Sequence, residues 1–405
     1  MNAVAYAVEP GRQGGLGQHA WQVLEACTAA LGPLTAFGPP SASAIGTVTT
    51  IAPPSGSGSA WPSRLTWRRY LQGAAQLEAD RRFGRWLATR IGPGIESCYL
   101  FTQIAREALP ELRKRNTKHI LDNPNGHIRD FREAVQQEAG RWLSTRYPGH
   151  PSLSMVDRVE EEYAAASRIR VASSWAARSL CARGVDPSRI SVVPHAVDLG
   201  RFSPALGAGA RQAETLRVVF VGQLGLGKGF PYLLEALRRL RTERIHVEFV
   251  GATGDPWCRR LFKTLSAGLA VSAAPGDPRP AYARADLLVL PTLHDGFGFV
   301  VAEAMACGLP VITTDRCGAA EWLREGESGW IVPAGEIDPL AAALEDALRR
   351  RSALREMGTV ARRQVERFAG ESARHALREL VRLHLGTAVS TGAAVESPWP
   401  GAIER

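Results

Sequence analysis

Residues 218–237 contain a glycine-rich stretch and a lysine that together suit the binding of phosphate groups. The segment VVFVGQLGLGKGFPYLLEAL predicts a strand, a glycine-rich loop and a helix with Pro231 in its first turn. Backbone N–H groups at such a helix start can hold a phosphate, and glycine lets the ligand approach the backbone closely. Lys228 adds a full positive charge at this point. The alternative is an ordinary strand-to-helix turn with a lysine on the surface.

Two better-known nucleotide-binding patterns do not fit this stretch. A Walker loop requires serine or threonine after its lysine, and here Gly229 follows Lys228. A dinucleotide fingerprint requires a third glycine where Phe230 stands. Its acidic residue would be Glu248, which lies inside a predicted strand rather than at the end of one. These departures disfavour a nicotinamide-dependent oxidoreductase.

Residues 291–314, PTLHDGFGFVVAEAMACGLPVITT, contain two carboxylates around a predicted helix start. Asp295 precedes a glycine-containing turn, and Glu303 lies about one turn into the short helix that follows. The N-terminus of that helix points toward the mouth of the sheet, where a diphosphate would gain from the helix dipole. Glu303 could then accept hydrogen bonds from hydroxyl groups. The alternative is a solvated Asp and Glu around a helix cap.

The elements that position these residues alternate between short apolar runs and helical patterns, which predicts α/β units with parallel strands. Strands are predicted in the first half at Ala3–Val8, Ser97–Thr102, His119–Leu121, Arg168–Ala172 and Ile190–Val193. A second set is predicted at Arg217–Val221, Val247–Val250, Leu287–Leu290, Pro310–Thr313 and Trp330–Val332. The stretch 195–215 between them is rich in Gly, Ala and Pro and indicates a linker.

Taken together, the two segments resemble the retaining glycosyltransferases of family 4, which have the GT-B architecture. The family pattern has a phosphate loop ending in K-G and then E-G-F-G…E-A-M-A-C-G-x-P-V-I, and the resemblance is strong over about 160–368. It implies an α/β fold of two Rossmann-like parallel-sheet domains facing a cleft. We expect an N-terminal acceptor domain at 1–200, a nucleotide-sugar domain at 201–368 and a disordered tail at 386–405. The final helix, about 365–385, can pack back onto the first domain.

The resemblance also implies roles for individual residues. Lys228 would meet the donor's phosphates, Asp295 the sugar hydroxyls and Glu303 the ribose hydroxyls. His127, in DNPNGHIRD, matches a histidine that faces the transferring sugar, although a partly buried structural histidine is an equal alternative. The remaining donor-binding residues are expected to be Gly15, Gln223, Phe297, Gly298 and Phe299.

The expected activity is metal-independent transfer of a hexose-type sugar from a nucleoside diphosphate sugar to a glycan, lipid-linked or small-molecule acceptor. The sequence has no D-x-D motif, and neither a metal nor a cofactor is expected. Two residues depart from the family pattern, since Gln223 replaces an arginine and Asp295 replaces a glutamate. They favour a second candidate, a non-catalytic nucleotide- or sugar-binding scaffold or regulator of the same fold.

The basic character of the chain is concentrated in its first half. The formal net charge is +9, and residues 1–205 hold 24 Lys and Arg against 17 Asp and Glu. Such a balance suits an anionic partner, and it is also common on solvated helix faces. The segment Arg64–Arg90 combines arginines with Trp67, Phe83 and Trp86 at helical spacing. It predicts either a helix on an anionic membrane surface or a core helix with a basic solvated face.

Other features of the sequence exclude several classes. The six cysteines form no C-x-x-C pair, which indicates neither a disulfide framework nor a zinc site. No basic segment followed by an apolar core begins the chain, and no apolar run reaches the roughly 20 residues of a membrane span. A nucleic-acid partner is not expected, because the arginine-rich stretches lack a recognition motif. A cytoplasmic protein, peripheral at the inner face of the membrane if it binds lipid, fits these features.

Overall fold

The computed structural model describes residues 1–11, 15–40, 47–53, 72–143, 147–204, 215–251 and 253–386. The chain divides into two compact units. Unit 1 consists of Met1–Arg132, Pro148–Ala196 and Glu371–Arg405, and unit 2 consists of Glu133–Tyr147 and Val197–Gly370. Both are α/β units built on a parallel sheet, in agreement with the predicted fold class.

In unit 1 the described residues form a seven-stranded parallel sheet. Asn2 is in register with Leu34 on one side and with Ser97 on the other. The strands are β1 (Asn2–Ala5), β2 (Leu34–Phe37), β3 (Val48–Ile51), β4 (Ser97–Phe101), β5 (Lys118–Asn123), β6 (Ile169–Val171) and β7 (Ile190–Val192), in the order β3-β2-β1-β4-β5-β6-β7. The strand order reverses between β1 and β4, and ligands of open α/β sheets bind outside the carboxyl ends of the strands at such a point.

Unit 2 repeats this arrangement with a six-stranded parallel sheet in its described residues. The strands are β8 (Leu216–Val221), β9 (Ile245–Val250), β10 (Val271–Ala274), β11 (Leu287–Leu290), β12 (Val311–Thr314) and β13 (Gly329–Val332), in the order β10-β9-β8-β11-β12-β13. The order reverses between β8 and β11. The two motif segments identified in the sequence follow these two strands, so both lie at the point of reversal.

The helices cover the sheets, and some of them begin at a side-chain cap. The Ser152 side chain accepts the Met155 N–H at the start of one helix, and Asp255 accepts the Cys258 N–H at another. The helices of the first half are α1 (Gly15–Leu31), α2 (Gln72–Arg90), α3 (Leu109–Lys114), α4 (Ile128–Trp142), α5 (Leu153–Ala165) and α6 (Ser174–Ala182). They are followed by α7 (Phe230–Leu240), α8 (Pro256–Leu265), α9 (Arg279–Arg284), α10 (Phe299–Ala306), α11 (Ile337–Arg349), α12 (Leu354–Phe368) and α13 (Glu371–Leu385).

The units change at residues 196 and 370, within a few residues of the predicted domain boundaries, but they differ from the prediction at residues 133–147. The predicted first domain, 1–200, includes residues 133–147, whereas the structure places Glu133–Tyr147 with unit 2. Tyr147 donates a hydrogen bond of 2.7 Å to Asp255 there. The last helix, α13, packs against α1 and belongs to unit 1. Apart from Gly386, the predicted disordered tail lies outside the described residues.

The segment predicted as a membrane-surface or core helix is described only from residue 72, as α2, and Trp67 lies outside the described residues. Phe83 is fully buried and packs edge-on against Trp86, whose ring also meets Phe37 edge-on. These two aromatic side chains therefore belong to the core of unit 1, and the described part of α2 exposes Arg82, Arg85 and Arg90. Among the described helices, none is both long and apolar enough to span a membrane.

Candidate functional site

The loop after β8 is folded tightly against the segment after β11. Gly229 has a φ of +71°, and a Cβ atom there would lie 1.8 Å from the carbonyl oxygen of Pro291, so only glycine fits. The Gly227 carbonyl accepts hydrogen bonds from the Leu293 N–H at 2.8 Å and from the Thr292 hydroxyl at 2.9 Å. The two motif segments are thus joined through their backbones, and Lys228 lies at the junction.

Asp295 shapes the turn that begins α10. Its Oδ1 accepts the Gly298 N–H at 2.8 Å and the Phe297 N–H at 3.3 Å. Gly298 has a φ of +81°, and a Cβ atom there would lie 2.5 Å from the Cys317 sulfur. The carboxylate therefore fixes a turn that a larger residue at position 298 could not adopt, and α10 starts directly after it.

The second oxygen of Asp295 binds Lys228. The Nζ–Oδ2 distance is 2.5 Å, and the two side chains are 38% and 15% exposed. Burial alone would lower the pKa of Lys228, but the adjacent Asp295 carboxylate outweighs burial and raises it. Burial alone would raise the pKa of Asp295, but Lys228 outweighs burial and lowers it. Both groups are therefore charged at neutral pH, and a cation is held beside the N-terminus of a helix.

Glu303 lies on α10, and its side chain is buried against α9. Tyr282 donates a hydrogen bond of 3.3 Å to its Oε2. Burial raises the pKa of Glu303 to about 7. A carboxylate in this setting gains from further hydrogen-bond donors, which is what a pair of ligand hydroxyls would supply.

The other site residues predicted for unit 2 differ in their exposure and in their contacts. Gln223 is exposed in the loop after β8. Phe297 is 2% exposed, and its ring packs edge-on against Phe299 and Trp322 at centroid distances of 5.0 and 5.1 Å. Its side chain is therefore a core group, and its backbone N–H binds Asp295. Phe299 is half-buried at the start of α10. The structure thus brings together Lys228, Asp295, Gly298 and the start of α10.

The two residues predicted in unit 1 lie at helix starts. Gly15 is the exposed first residue of α1, and residues 12–14 before it lie outside the described residues. His127 is 2% exposed, and its Nδ1 accepts the Arg129 N–H at 3.2 Å, which caps α4. Its ring packs against Tyr163 at 5.2 Å, and burial lowers its pKa. These contacts match the structural alternative stated for His127, and its proposed contact with a sugar stays a prediction.

A buried polar cluster in unit 1 was not found from the sequence. His19 Nε2 lies 2.8 Å from Asp122 Oδ1, the Tyr99 hydroxyl donates to the other oxygen of Asp122, and Arg170 Nη2 lies 3.2 Å from His195 Nδ1. Burial alone would raise the pKa of Asp122, but His19 and Arg170 outweigh it and lower the pKa. The cluster's residues are spread over positions 19 to 195, and only the sheet brings them together. The contact of Tyr282 with Glu303 was not predicted either, because it joins residues 21 positions apart.

Comparison with known proteins supports the resemblance. Residues 215–350 match the family model described as Glycosyl transferases group 1. A D-inositol 3-phosphate glycosyltransferase of Geodermatophilus obscurus is 32% identical over 269 residues, which are 61% of this chain and 58% of that protein. A second, from Rhodococcus erythropolis, is 30% identical over 218 residues, 49% of each chain. The chain thus spans about half the length of the curated relatives it matches.

The solved structures agree with the fold. Sucrose-phosphate synthase from Thermosynechococcus elongatus superposes with a TM-score of 0.71 at 20% identity, covering 94% of this chain and 98% of that one. At these identities the likeness concerns the fold alone. The chain is therefore a homologue of glycosyltransferases: residues 215–350 form a glycosyl transferases group 1 domain, the two parallel-sheet units have the GT-B fold, and the resemblance to glycosyltransferase family 4 is confirmed.

Proposed function

We propose that this protein is a retaining glycosyltransferase that moves a hexose-type sugar from a nucleoside diphosphate sugar to an acceptor hydroxyl, without a metal ion. The observation that supports it most is the charged Lys228, fixed by Asp295 at 2.5 Å beside the N-terminus of α10. HepE of Anabaena, a structural neighbour with a TM-score of 0.62 at 15% identity, covering 94% of this chain and 99% of that one, is solved with UDP-glucose. UDP-sugars are therefore the first donors to test, and D-inositol 3-phosphate, from the relatives' name, is the first acceptor.

The proposed role of Lys228 and α10 is to stabilise the leaving group. When the bond between the anomeric carbon and the diphosphate breaks, negative charge grows on the phosphate oxygens. A fixed ammonium group and a helix N-terminus stabilise that charge more strongly than they stabilise the bound donor. In front-face attack the acceptor oxygen forms the new bond on the side from which the diphosphate leaves, and the departing phosphate takes its proton.

Asp295 and Glu303 have separate roles in this proposal. Asp295 binds Lys228 and two backbone N–H groups, so it orients the cation and the turn before α10. Glu303 binds the ribose hydroxyls in its ionised form. Because its pKa is about 7, that form dominates above neutral pH. Loss of Glu303 should therefore weaken donor binding, whereas loss of Lys228 should slow the chemical step.

The second candidate, a non-catalytic nucleotide- or sugar-binding protein, has one structural observation in its favour. The charge of Lys228 is already paired with Asp295, and the neighbouring position that carries arginine in the family holds the exposed Gln223. A bound diphosphate would then meet less uncompensated positive charge. Such a protein would bind a nucleotide sugar without turning it over.

The test is a screen of UDP-, GDP- and ADP-sugars for binding, hydrolysis and transfer, with Lys228→Ala beside the wild type. We expect the variant to lose roughly 100-fold or more in kcat with little change in thermal stability. The matched control is Lys263→Ala, an exposed lysine on α8, which should keep full turnover. Excess EDTA should leave turnover intact.

Each part of the proposal can fail separately. Donor binding without hydrolysis or transfer by the wild type would favour the scaffold. Turnover that EDTA abolishes and a divalent ion restores would contradict a metal-independent site. Full turnover by Lys228→Ala would show that the leaving group is stabilised by other residues.

A further inference from the structure

The carboxyl edge of the unit 1 sheet has one residue in a backbone conformation that its side chain disfavours. Gln103 follows β4 and has a φ of +79°. The described residues include two other non-glycine residues with positive φ, Asn116 and Arg241. Both lie at helix ends, after α3 and α7, where a left-handed residue is the usual way to stop a helix. No helix ends at Gln103, so its conformation needs another explanation.

Two buried side chains of α5, Glu162 and Arg158, hold the backbone of Gln103 in that conformation. Glu162 accepts the Gln103 N–H at 2.7 Å, and Arg158 donates to the Gln103 carbonyl at 2.5 Å. Neither α5 side chain has solvent exposure, and the two lie four residues apart on one face of the helix. The remaining oxygen of Glu162 accepts the N–H groups of Ala105 and Arg106, and Arg158 forms a two-pronged ion pair with Glu107.

Arg158 and Glu162 form the α5 clamp, and their hydrogen bonds offset the desolvation cost of burying them. Strained backbone that is held by its surroundings in this way is concentrated at ligand-binding sites. The backbone is fixed at both its N–H and its carbonyl, whereas the side-chain amide is exposed. Gln103 thus combines a fixed backbone with an exposed side chain.

Gln103 is exposed at the point where the strand order reverses between β1 and β4. The Thr102 N–H donates to the Asp122 carbonyl at 3.0 Å, so the end of β4 is paired with the end of β5 up to the residue before Gln103. The ring of Phe101 lies 5.2 Å from that of His19 on the first turn of α1. Gln103 therefore stands at the carboxyl edge of the sheet, where open α/β sheets take their ligands.

We propose that Gln103 is an acceptor-binding residue, whose side-chain amide contacts hydroxyl groups of a polyol or sugar acceptor. The inference rests on the proposed glycosyl transfer and adds to it a contact for the acceptor in unit 1. An amide offers a donor and an acceptor side by side, which matches adjacent hydroxyl groups and requires no charge. The α5 clamp fixes the backbone of Gln103 before the acceptor binds, which reduces the ordering that binding requires.

The experiment compares Gln103→Gly with two matched controls, Asn116→Gly and Arg241→Gly, which remove the same strain elsewhere. Glycine adopts positive φ readily, so each variant should keep or raise thermal stability, by roughly 2–4 °C for Gln103→Gly. The probes are a UDP-sugar donor with D-inositol 3-phosphate, myo-inositol or glucose as acceptor. We expect Gln103→Gly to lose ~10-fold or more in kcat/KM for the acceptor, more than any change in donor hydrolysis. The two controls should transfer at the wild-type rate.

Gln103→Asn keeps an amide that tolerates positive φ, and it should retain part of the transfer if Gln103→Gly folds poorly. A stabilised Gln103→Gly variant that transfers normally would show that the conformation is structural only, and would overturn the inference. Donor hydrolysis by the wild type without transfer to any of the three probes would overturn the proposed acceptor class. Absence of both hydrolysis and transfer in the wild type would instead remove the proposed function on which the inference rests.

Discussion

The carboxyl edges of the two sheets both carry charged side chains, but at opposite levels of burial. In unit 1, Asp122 and Arg170 have no side-chain exposure and lie 3.5 Å apart. In unit 2, Lys228 and Asp295 are 38% and 15% exposed and lie 2.5 Å apart. Each unit thus has charged groups at the point where an α/β sheet takes ligands, one set sealed from water and the other set open to it.

The difference in burial indicates that the two sets of charged groups have different roles. A buried charge cannot leave its partner without a large desolvation penalty, so the unit 1 cluster holds one arrangement. The Lys228–Asp295 pair is in contact with water, so the ammonium group that Asp295 fixes is also accessible to a phosphate. We infer that the buried charges of unit 1 fix backbone and side-chain positions, whereas the open pair of unit 2 presents a fixed cation to the ligand.

The largest expected effect is a loss of stability caused by Arg170→Met in the buried cluster of unit 1. Methionine fills similar space but leaves Asp122 without its guanidinium partner, and removing one partner of a buried ion pair destabilises by about 3–5 kcal/mol. Arg168→Met, at the residue just before β6, is the matched control, since its side chain is only half-buried and donates to the Ser188 carbonyl. Urea unfolding measures both variants. Equal, small losses would mean that His19 alone suffices to stabilise Asp122.

A smaller and pH-dependent effect is expected at Glu303. Its pKa is raised from 4.5 to about 7, so the folded state binds the proton more tightly than the unfolded state. The stabilisation that this proton provides is complete at low pH and is lost as pH rises through about 7. Ribose hydroxyls donate to the ionised form, so we expect affinity for UDP to increase between pH 6 and 8.

The variant Glu303→Gln should remove this pH dependence and weaken UDP binding roughly 10-fold at pH 8. Glu327→Gln changes an exposed carboxylate of unit 2 and should leave the affinity and its pH profile as in the wild type. Calorimetric titration across this pH range gives both quantities. A Glu303→Gln variant with the wild-type profile would place the ribose elsewhere.

How much could be predicted from the sequence differs between the two units for a physical reason. The unit 2 segments are continuous, so the loop with Lys228 and the helix with Glu303 could be predicted from local pattern and resemblance. The contact of Lys228 with Asp295 could not, because it joins positions 67 residues apart. In unit 1 the clamp on Gln103 depends on α5, and no local pattern at 103 indicates a positive φ.

Three of the described strands, β2, β3 and β10, were not predicted from the sequence. β2 is buried along its whole length, but it has only four residues, so its apolar run is short. β3 and β10 lie at the outer edges of their sheets, and most of their residues are not buried, so they lack the apolar runs by which central strands are recognised. The assignment of Glu133–Tyr147 to unit 2 was not predicted for a different reason. Its helical pattern is plain, but the contacts that place it with unit 2 are made to Tyr232 and Asp255, far away in the sequence.

The smallest expected effect tests whether exposed charge on unit 1 has a partner of its own. Arg82, Arg85 and Arg90 are exposed on α2, but Glu78 lies 3.6 and 3.1 Å from the first two and offsets part of their charge. Each arginine near an anionic bilayer contributes about 1 kcal/mol at most, so replacing all three with serine should lower binding to anionic vesicles several-fold at low salt. Because Phe83 and Trp86 are packed in the core, neutral vesicles should bind neither protein.

Arg374→Ser with Arg378→Ser on α13 is the control, and co-sedimentation is the measurement. If the wild type binds anionic and neutral vesicles equally weakly, or if the α13 changes reduce binding as much, α2 is a core helix with a solvated basic face.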